Sequence, residues 1–537
     1  MTALRQGRAG DTAQGVRLAR ALMLQGTASD VGKSVLTAAL CRIFVQDGWA
    51  VAPFKSQNMS LNSYVTPDGK EIGRAQGMQA DACGIAATTD MNPILLKPSS
   101  DRASQVVVHG KPYKTMDAFR YRNEYLTEAG EIVREAFRRL RGAYDIVVLE
   151  GAGSPAEINL KDRDIVNMRM AAWAESPVVL VADIDRGGVF ASIVGTLELL
   201  EQEERDRIGG FIINKFRGDL ALLQPGLDWL EKRTGKPVIG VVPHIEGLQL
   251  ESEDSLSFRR ASPNREEGQL DVAVVRFPRW ANFTDIDPLF AEKDTAVRYV
   301  TRGEEFGAPD IVLLPGSKNT AEDLLFLRET GLDRLVCAHR ERGGWLVGIC
   351  GGYQMLGERL SDPEGVESEQ GSVPGLGIFP METVFARDKR TERVAGRATG
   401  WESQAGSPER ESARIRIEGY EIHMGRTTFL RQVEHPMDIA TVRNDTGESD
   451  ALHAEGARTE DGRVWGTYIH GILHNDDFRR DWLNAVRRAK GWEPLAGGLA
   501  FNRLREDEFD RLADHVRRHV DVDRLYRMMN LEAEGQG

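Results

Sequence analysis

Cys350 stands in a setting that suits a nucleophile. It follows the apolar run 345–349 and is followed at once by Gly351 and Gly352. A strand that turns sharply into a helix here would expose the sulfur at the top of a sheet, and the helix N-terminus would favour the thiolate. The N–H of Gly351 would form part of an oxyanion hole. The pattern therefore predicts nucleophilic catalysis by Cys350.

A cysteine nucleophile needs a base, which is expected to lie far away in sequence. His470, at the end of the apolar run 464–469, is the first candidate, and His423 is the second. Gly316, just after another apolar run, can supply the second N–H of the oxyanion hole. The remaining cysteines lack this setting and are expected to be ordinary buried thiols: Cys41, Cys83 and Cys337.

A second group of residues, 26–34, suits phosphate binding. It lies between an apolar run and a helical stretch, so its backbone N–H groups and a helix N-terminus would face an anion. Five residues separate Gly26 from Gly32, whereas the usual pattern has four. The predicted ATP-binding residues are Gly26, Thr27, Ser29, Asp30, Gly32, Lys33, Ser34 and, further along, Lys55.

Polar residues follow the next predicted strands at the same end. Glu150 comes directly after the run 144–149, and Asp185 and Arg186 come shortly after the run 178–182. An acid at a strand end that faces a phosphate loop is a plausible Mg²⁺ ligand. We therefore expect Ser34 and Glu150 to bind Mg²⁺ beside the ATP phosphates.

Buried parallel strands must position these residues, and the apolar runs of the first half have that character. We predict strands over residues 21–25, 50–54, 144–149, 178–182, 210–214 and 238–242. The second half repeats the pattern. There we predict strands over residues 271–276, 297–300, 311–314, 345–349, 415–417 and 464–469. The sequence thus predicts an α/β protein of two domains, the first a doubly wound parallel sheet carrying the phosphate loop.

The domain boundaries follow from shifts in composition. We expect a loose tail over residues 1–19, a phosphate-loop domain over 20–245, a linker over 246–269, a second α/β domain over 270–490 and a helical segment over 491–537. A polar, Gly- and Arg-rich insertion over residues 387–412 is expected to be a surface excursion. The amphipathic stretch 506–529 is expected to be a packing helix.

The bulk properties exclude several classes of function. The chain has 537 residues, a formal net charge of −13 and an ordinary hydrophobic content of 41%. An acidic protein lacks the basic face that a general nucleic-acid binder needs. No apolar run approaches the length of a membrane span, and the four cysteines are widely spaced, so we expect a cytoplasmic protein. The sequence predicts no particular oligomeric state.

Each half resembles a known family. The second half resembles a class I glutamine amidotransferase domain in its Cys350 elbow, its Pro315-Gly316 loop and His470, although Ile472 stands where those enzymes have a Glu. This leaves the group that orients His470 unassigned. The first half resembles the dethiobiotin-synthetase-like ATP-dependent amidoligases, which share the deviant phosphate loop. The extra loop residue is thus an amidoligase trait.

Together the halves resemble the cobyric acid synthase family over about residues 22–488. The most specific segments are residues 54–63, 71–76, 150–157 and 183–190. The resemblance implies amidation of the b, d, e and g carboxylates of adenosylcobyrinic acid a,c-diamide, with ATP, Mg²⁺ and glutamine, and no tightly bound cofactor. Candidate substrate-binding residues are Gln57, Asn58, Arg74, Gln76, Asp185 and Arg186.

The implied chemistry joins the two halves. An acyl phosphate formed at the phosphate loop would be attacked by ammonia released from glutamine at Cys350. Because free ammonia is mostly protonated at neutral pH, a shielded route is expected. Two alternatives remain: a cobyrinic acid a,c-diamide synthase, which residues 56–63 and 71–76 disfavour, and a non-catalytic phosphate-loop switch like the partition ATPases, which the intact Cys350 elbow disfavours.

Overall fold

The computed structural model describes residues 18–98, 103–117, 126–161, 164–250, 265–400, 414–442 and 451–531. Most of the expected N-terminal tail and the middle of the expected linker, residues 251–264, lie outside this part of the chain. Contacts divide the protein into two units. The first holds residues 1–60, 72–253 and 505–537, and the second holds residues 61–71 and 254–504.

The first unit is built on a sheet of six parallel strands. Their order across the sheet is Val238–Pro243, Ile208–Phe216, Val178–Asp183, Arg20–Gly26, Ile146–Glu150 and Val51–Phe54. The central strands are almost entirely buried, as their continuous apolar runs predict. This confirms the predicted doubly wound parallel sheet.

Helices and a second sheet complete the first unit. Its helices are Lys33–Gln46, Arg74–Ala82, Leu126–Ala143, Met168–Trp173, Val189–Leu199, Gln202–Arg207, Leu220–Thr234 and Val522–Met528, with most of Phe501–Arg517. The smaller sheet has the strand order Gln57–Met59, Ile94–Pro98, Ala103–Val108 and Lys111–Asp117.

The C-terminal segment packs into the core of the first unit. Phe509, Leu512 and Val516 are buried there, and the Tyr526 ring lies 5.3 Å from the Phe44 ring. We expect one helix over the stretch 506–529, but the structure has two. The first ends at Arg517 and the second begins at Val522. Val520, between them, forms a bridge with Gly240, so the chain is extended where one helix would have continued.

The second unit is also an α/β structure. Its main sheet has the order Thr295–Val300, Leu270–Val275, Ile311–Leu314, Trp345–Ile349, Val464–Thr467 and Ala457–Arg458, and only the last pair is antiparallel. A second, mostly antiparallel sheet contains Ser372–Pro374, Arg359–Ser361, Met381–Thr399, Arg414–Phe429, Ile469–His470, Met437–Thr441 and His453–Glu455. Its helices are Asp287–Ala291, Thr320–Glu329, Leu332–Glu341, Gly351–Met355 and Asp476–Ala489.

The expected surface excursion over residues 387–412 is wrong for its first part. Residues up to Thr399 belong to the long strand Met381–Thr399, which pairs with Arg414–Phe429. Among residues 387–399 only Val394 and Ala398, which share one face of the strand, are buried. An antiparallel hairpin with one face in water has this polar composition, which is why the sequence did not predict a strand. The rest of the insertion, residues 401–412, lies outside the described residues.

Two short strands, Ser63–Val65 and Glu71–Gly73, flank the turn 66–70, which the Thr66 N–H closes by donating to the Lys70 carbonyl oxygen. Within the described residues, no helix is long and apolar enough to cross a membrane.

Candidate functional site

Cys350 lies at the junction between the strand Trp345–Ile349 and the helix Gly351–Met355. Its backbone has φ 50° and ψ −108°, which a non-glycine residue adopts only where the surrounding structure holds it. A Cβ at Gly352 would lie 2.0 Å from the Leu314 carbonyl oxygen, so the turn requires glycine at that position. The structure therefore has the geometry of the predicted elbow.

His470 is held by a buried carboxylate, Asp285. The Asp285 Oδ2 atom lies 2.6 Å from His470 Nδ1, and Asp285 Oδ1 accepts the Gly471 N–H at 2.9 Å. Burial of the ring lowers the pKa of His470, but the Asp285 carboxylate and the Cys350 sulfur outweigh it and raise this pKa to about 10. Asp285 fixes Nδ1, and the other ring nitrogen, Nε2, lies 3.2 Å from Asn282 Nδ2.

Sequence reasoning missed Asp285. It lies in the turn Phe283–Ile286, and 185 residues separate it from His470 along the chain. Ile472, at the position where related enzymes carry a Glu, is completely buried. One feature of the sequence could have pointed to Asp285. It is a polar residue that follows the strand Leu270–Val275, and this strand lies in the same sheet as the strand that leads to Cys350.

The predicted oxyanion-hole glycines lie beside the Cys–His pair. A Cβ at Gly316 would lie 3.2 Å from His470 Cε1, and a Cβ at Gly351 would lie 2.8 Å from the Ser317 amide nitrogen. The Gly352 N–H donates to the Pro315 carbonyl oxygen at 3.0 Å and fastens this loop to the elbow. The loop after the strand Ile311–Leu314 therefore adjoins the elbow, as expected.

His423, the second candidate for the base, is in a different setting. Its ring stacks on Tyr468 with a centroid distance of 3.9 Å. Burial and then the charges of Arg390 and His470 lower the pKa of His423 to about 3. A ring that stays neutral throughout the physiological range is a poor proton shuttle, so the geometry favours His470.

The phosphate loop in the first unit has the shape of an anion cradle. Gly32 caps the helix Lys33–Gln46 with φ 94°, and a Cβ there would lie 2.2 Å from Asn214 Nδ2. Lys33 Nζ donates to the carbonyl oxygens of Ala28 at 2.9 Å and Gly153 at 3.1 Å, across the mouth of the loop. The Thr27 N–H donates to the Val181 carbonyl oxygen at 2.9 Å, which anchors the start of the loop.

Glu150 is at the centre of a polar cluster beside this loop. It accepts hydrogen bonds from Ser34 Oγ at 2.8 Å, Lys55 Nζ at 2.9 Å and Gln79 Nε2 at 2.6 Å. The described residues contain no group of three or more His, Cys, Asp or Glu side chains able to hold a metal. A hydroxyl and one carboxylate are nevertheless the ligands that Mg²⁺ uses beside nucleotide phosphates, so Ser34 and Glu150 fit this ion.

The candidate substrate residues fall into two groups. Asn58 Nδ2 donates to Gln76 Oε1 at 3.0 Å, and both side chains are buried. Gln57 is half-buried in the same strand as Asn58, and Arg74 is buried at the start of the helix Arg74–Ala82.

Asp185 and Arg186 are exposed and lie at the loop after the strand Val178–Asp183. Arg186 lies 3.5 Å from Asp30 of the phosphate loop, and Arg217 pairs with Asp185 at 3.2 Å. Ser29, also in the phosphate loop, is exposed. Asp185 and Arg186 therefore border the nucleotide site, whereas Asn58 and Gln76 form a separate buried pair.

Comparison with known proteins gives two family matches. Residues 22–257 match the CobQ/CobB/MinD/ParA nucleotide binding domain, and residues 271–478 match the CobB/CobQ-like glutamine amidotransferase domain. The chain is 55% identical to a cobyric acid synthase of Geobacillus kaustophilus, over 95% of this chain and 97% of that protein. It is 53% identical to the enzyme of the same name from Geobacillus thermodenitrificans, over 95% and 98% of the two chains. It is 49% identical to that of Citrobacter koseri, over 96% of this chain and all of the relative.

Proposed function

Because the chain belongs to the cobyric acid synthase family, it is an ATP-dependent, glutamine-hydrolysing amidoligase of cobalamin biosynthesis, and we propose that its two units divide the reaction. The first unit activates a corrinoid carboxylate with ATP. The second unit releases ammonia from glutamine. The buried Cys350–His470–Asp285 arrangement carries this proposal, because it has no use in a nucleotide switch.

In the first unit, Lys33 and the loop N–H groups stabilise the charge that develops as the γ-phosphoryl group moves to the substrate carboxylate. The resulting acyl phosphate has a good leaving group, which a free carboxylate lacks. Lys33 is positioned for this role by its hydrogen bonds to Ala28 and Gly153 across the loop. Lys55, paired with Glu150, lies at the same end of the sheet.

Mg²⁺, held by Ser34 and Glu150, would supply further positive charge beside the phosphates. The two side chains already share a hydrogen bond of 2.8 Å, and Gln79 holds the other carboxylate oxygen at 2.6 Å. These contacts keep the Glu150 carboxylate oriented toward the loop.

In the second unit, the Cys350 thiolate attacks the side-chain amide carbon of glutamine. The N–H groups of Gly316 and Gly351 stabilise the oxyanion. His470 gives its Nε2 proton to the departing ammonia, while Asp285 holds the Nδ1–H. Water then hydrolyses the thioester and frees glutamate and Cys350.

The acceptors are the b, d, e and g carboxylates of adenosylcobyrinic acid a,c-diamide. A phosphoryl-transfer loop and an ammonia-producing unit in one chain support amidation of a carboxylate. Membership of the family supports a corrinoid as the molecule that bears this carboxylate. Asn58, Arg74 and Gln76 are candidate contacts for this substrate. Each lies a few residues along the chain from Lys55 or Gln79, which hydrogen-bond to Glu150.

The nitrogen source tests this division of labour. Cys350→Ala should abolish synthesis from glutamine and keep synthesis from ammonium salts, because the ligase site needs only ammonia. Lys33→Ala should lose synthesis from both sources and retain glutamine hydrolysis. The measurements are product amidation and glutamate release, each with both nitrogen sources.

Glutamine-dependent synthesis by the Cys350→Ala protein would contradict the assignment of the nucleophile. Normal ammonia-dependent turnover by the Lys33→Ala protein would contradict the assignment of the ATP site. Cys337→Ala, a change at a half-buried thiol outside either site, is the matched control and should behave as the unaltered protein.

A further inference from the structure

Asp323, in the first turn of the helix Thr320–Glu329, is a buried carboxyl group that takes no part in the proposed chemical steps. The residue is 1% exposed. Burying a carboxyl group costs free energy unless its oxygens are hydrogen-bonded. Here Oδ1 accepts the Arg279 N–H at 3.2 Å, and Oδ2 accepts the Ser317 hydroxyl at 2.5 Å. Asp323 thus joins two stretches of chain that lie far apart in sequence.

The first of these stretches is the loop 315–318, which contains Ser317. It also contains Gly316, whose N–H is a proposed donor to the oxyanion. The loop lies against the nucleophile elbow, where the Gly352 N–H donates to the Pro315 carbonyl oxygen at 3.0 Å. The position of the Gly316 N–H relative to the elbow therefore depends on what holds this loop.

The second stretch, residues 279–281, pairs with the loop through the backbone. The Lys318 N–H donates to the Arg279 carbonyl oxygen at 2.9 Å, and the Ala281 N–H donates to the Gly316 carbonyl oxygen at 3.0 Å. The two stretches run antiparallel at this point. Because these backbone bonds do not involve the Asp323 side chain, its removal should loosen the loop without detaching it.

The second stretch also leads to the group that holds the catalytic histidine. The chain continues from residue 281 into the turn Phe283–Ile286, which contains Asp285. The Asp285 carboxylate lies 2.6 Å from His470 Nδ1. Residues 279–286 therefore contact the oxyanion loop at one end and the histidine at the other. A side chain that ties the loop to this stretch fixes the oxyanion donor relative to His470.

We propose that Asp323 is a positioning residue, which clamps the loop 315–318 to residues 279–286 and so holds the Gly316 N–H where it can bind the oxyanion. This role rests on the proposed function, because the oxyanion arises only in glutamine hydrolysis. The oxyanion forms in the transition state and is absent from bound glutamine. Loss of the clamp should therefore lower kcat for glutamine hydrolysis and leave KM unchanged.

The clamp needs hydrogen bonds and does not need a charge. Burial raises the pKa of Asp323 to about 7, and the hydrogen bond from Ser317 opposes this rise. A hydroxyl group both donates and accepts, so Ser317 can pair with the ionised or the protonated carboxyl group. An amide at the same position can likewise pair with Ser317 and accept the Arg279 N–H. Asp323→Asn should therefore preserve the clamp, whereas Asp323→Ala should remove it.

The test compares two reactions of Cys350 in the full-length protein. The first is glutamine hydrolysis, measured as kcat and KM from glutamate release. The second is alkylation by iodoacetamide, measured by mass spectrometry of the peptide that contains Cys350. Alkylation forms a carbon–sulfur bond and expels iodide, so its rate reports on the thiolate and its pairing with His470, and no oxyanion develops. Hydrolysis needs the oxyanion hole as well.

Asp323→Ala should lower kcat for glutamine hydrolysis on the order of tenfold, less than the roughly 100-fold or greater loss on removing an oxyanion-hole donor outright. KM for glutamine and the rate of Cys350 alkylation should stay unchanged. Ser317→Ala removes the loop's contact with Asp323 and should also lower kcat alone, which keeps the test available if Asp323→Ala does not fold. The double variant should be no slower than Asp323→Ala, because both changes remove the same contact.

Glu322→Ala is the matched control. Glu322 is an exposed neighbour in the same helical turn, and its carboxylate contacts Ser368 and Gln370 instead of the loop, so this variant should match the unaltered protein. Unchanged kcat in both Asp323→Ala and Ser317→Ala would overturn the proposal. An equal fall in hydrolysis and alkylation would also overturn it, because a general loss of structure has that result. So would an Asp323→Asn protein as slow as Asp323→Ala.

The unaltered protein and Cys350→Ala check the proposed function in the same assay. If the unaltered protein hydrolyses glutamine and Cys350→Ala does not, the glutaminase assignment holds and the Asp323 variants test the clamp alone. If the unaltered protein does not hydrolyse glutamine, the proposed function fails and the role of Asp323 fails with it.

Discussion

A carboxylate behind a catalytic histidine determines which ring nitrogen faces the nucleophile, and Asp285 has that position here. The elbow that carries Cys350 and the strand end that carries His470 were predictable, because glycines and apolar runs mark them in sequence. Asp285 was not, because its only distinction is a contact made across 185 residues of chain. The same holds for Asn282, whose left-handed backbone and contact with His470 exist only in the folded unit.

Asp285→Asn tests the role of this carboxylate. Asparagine keeps the size of the side chain but removes the charge that holds the pKa of His470 high. Glutamine hydrolysis should fall on the order of 100-fold, the range for disabling a general acid–base. The pH at which His470 loses its proton should also move down from about 10 toward its ordinary value.

The measurement is the rate of glutamate release as a function of pH, with ammonia-dependent synthesis as the control for folding. Synthesis from ammonium salts should be unchanged, because it bypasses the glutaminase site. A variant with the original rate and pH profile would show that Asp285 does not orient His470.

At the scale of elements, strands with continuous apolar runs were predictable and polar strands were not. The parallel strands that lead to Glu150 and Cys350 are buried on both faces, so their sequences identify them. The strand Met381–Thr399 has an exposed face and a polar sequence, and its pairing with Arg414–Phe429 could not be seen in composition.

The strand His453–Glu455 supports the end of the site that carries His470. Glu455 accepts hydrogen bonds from Thr467 Oγ1 at 2.6 Å and from the Tyr468 N–H at 2.7 Å. Burial, and then the charge of Glu421, raises the pKa of Glu455 to about 8. Since the folded state binds this proton more tightly than the unfolded chain, it contributes stability at low pH that is lost as the pH rises through 8.

Glu455→Gln should therefore flatten the dependence of the unfolding free energy on pH. The free energy of the unaltered protein should fall between pH 5 and pH 8.5 by on the order of a few kcal/mol, and that of the variant should fall less. A residual slope is expected, because burial also raises the pKa of Glu421 and Glu367 to about 7.

Denaturant unfolding at pH 5, 7 and 8.5 measures this effect. Glu460→Gln, at an exposed position in the following turn, is the matched control and should leave the slope unchanged. Equal slopes for Glu455→Gln and the unaltered protein would show that Glu455 is ionised in the folded state.

At the scale of the molecule, the two-domain plan was predictable but the path of the chain between the units was not. The family matches, residues 22–257 and 271–478, lie one after the other along the sequence. The contacts instead place residues 61–71 in the amidotransferase unit and residues 505–537 in the nucleotide unit. Both segments are assigned to these units by long-range packing contacts, which neither residue composition nor motif spacing predicts.

The central claim is that this molecule transfers the amide nitrogen of glutamine to carboxylates that it has activated with ATP. The most direct test is mass spectrometry of the corrinoid after incubation of the full-length protein with adenosylcobyrinic acid a,c-diamide, ATP, Mg²⁺ and amide-¹⁵N glutamine. We predict four successive replacements of a carboxylate hydroxyl by a ¹⁵N-labelled amino group, and none without ATP. A corrinoid of unchanged mass, or amidation of cobyrinic acid but not of its a,c-diamide, would contradict this account.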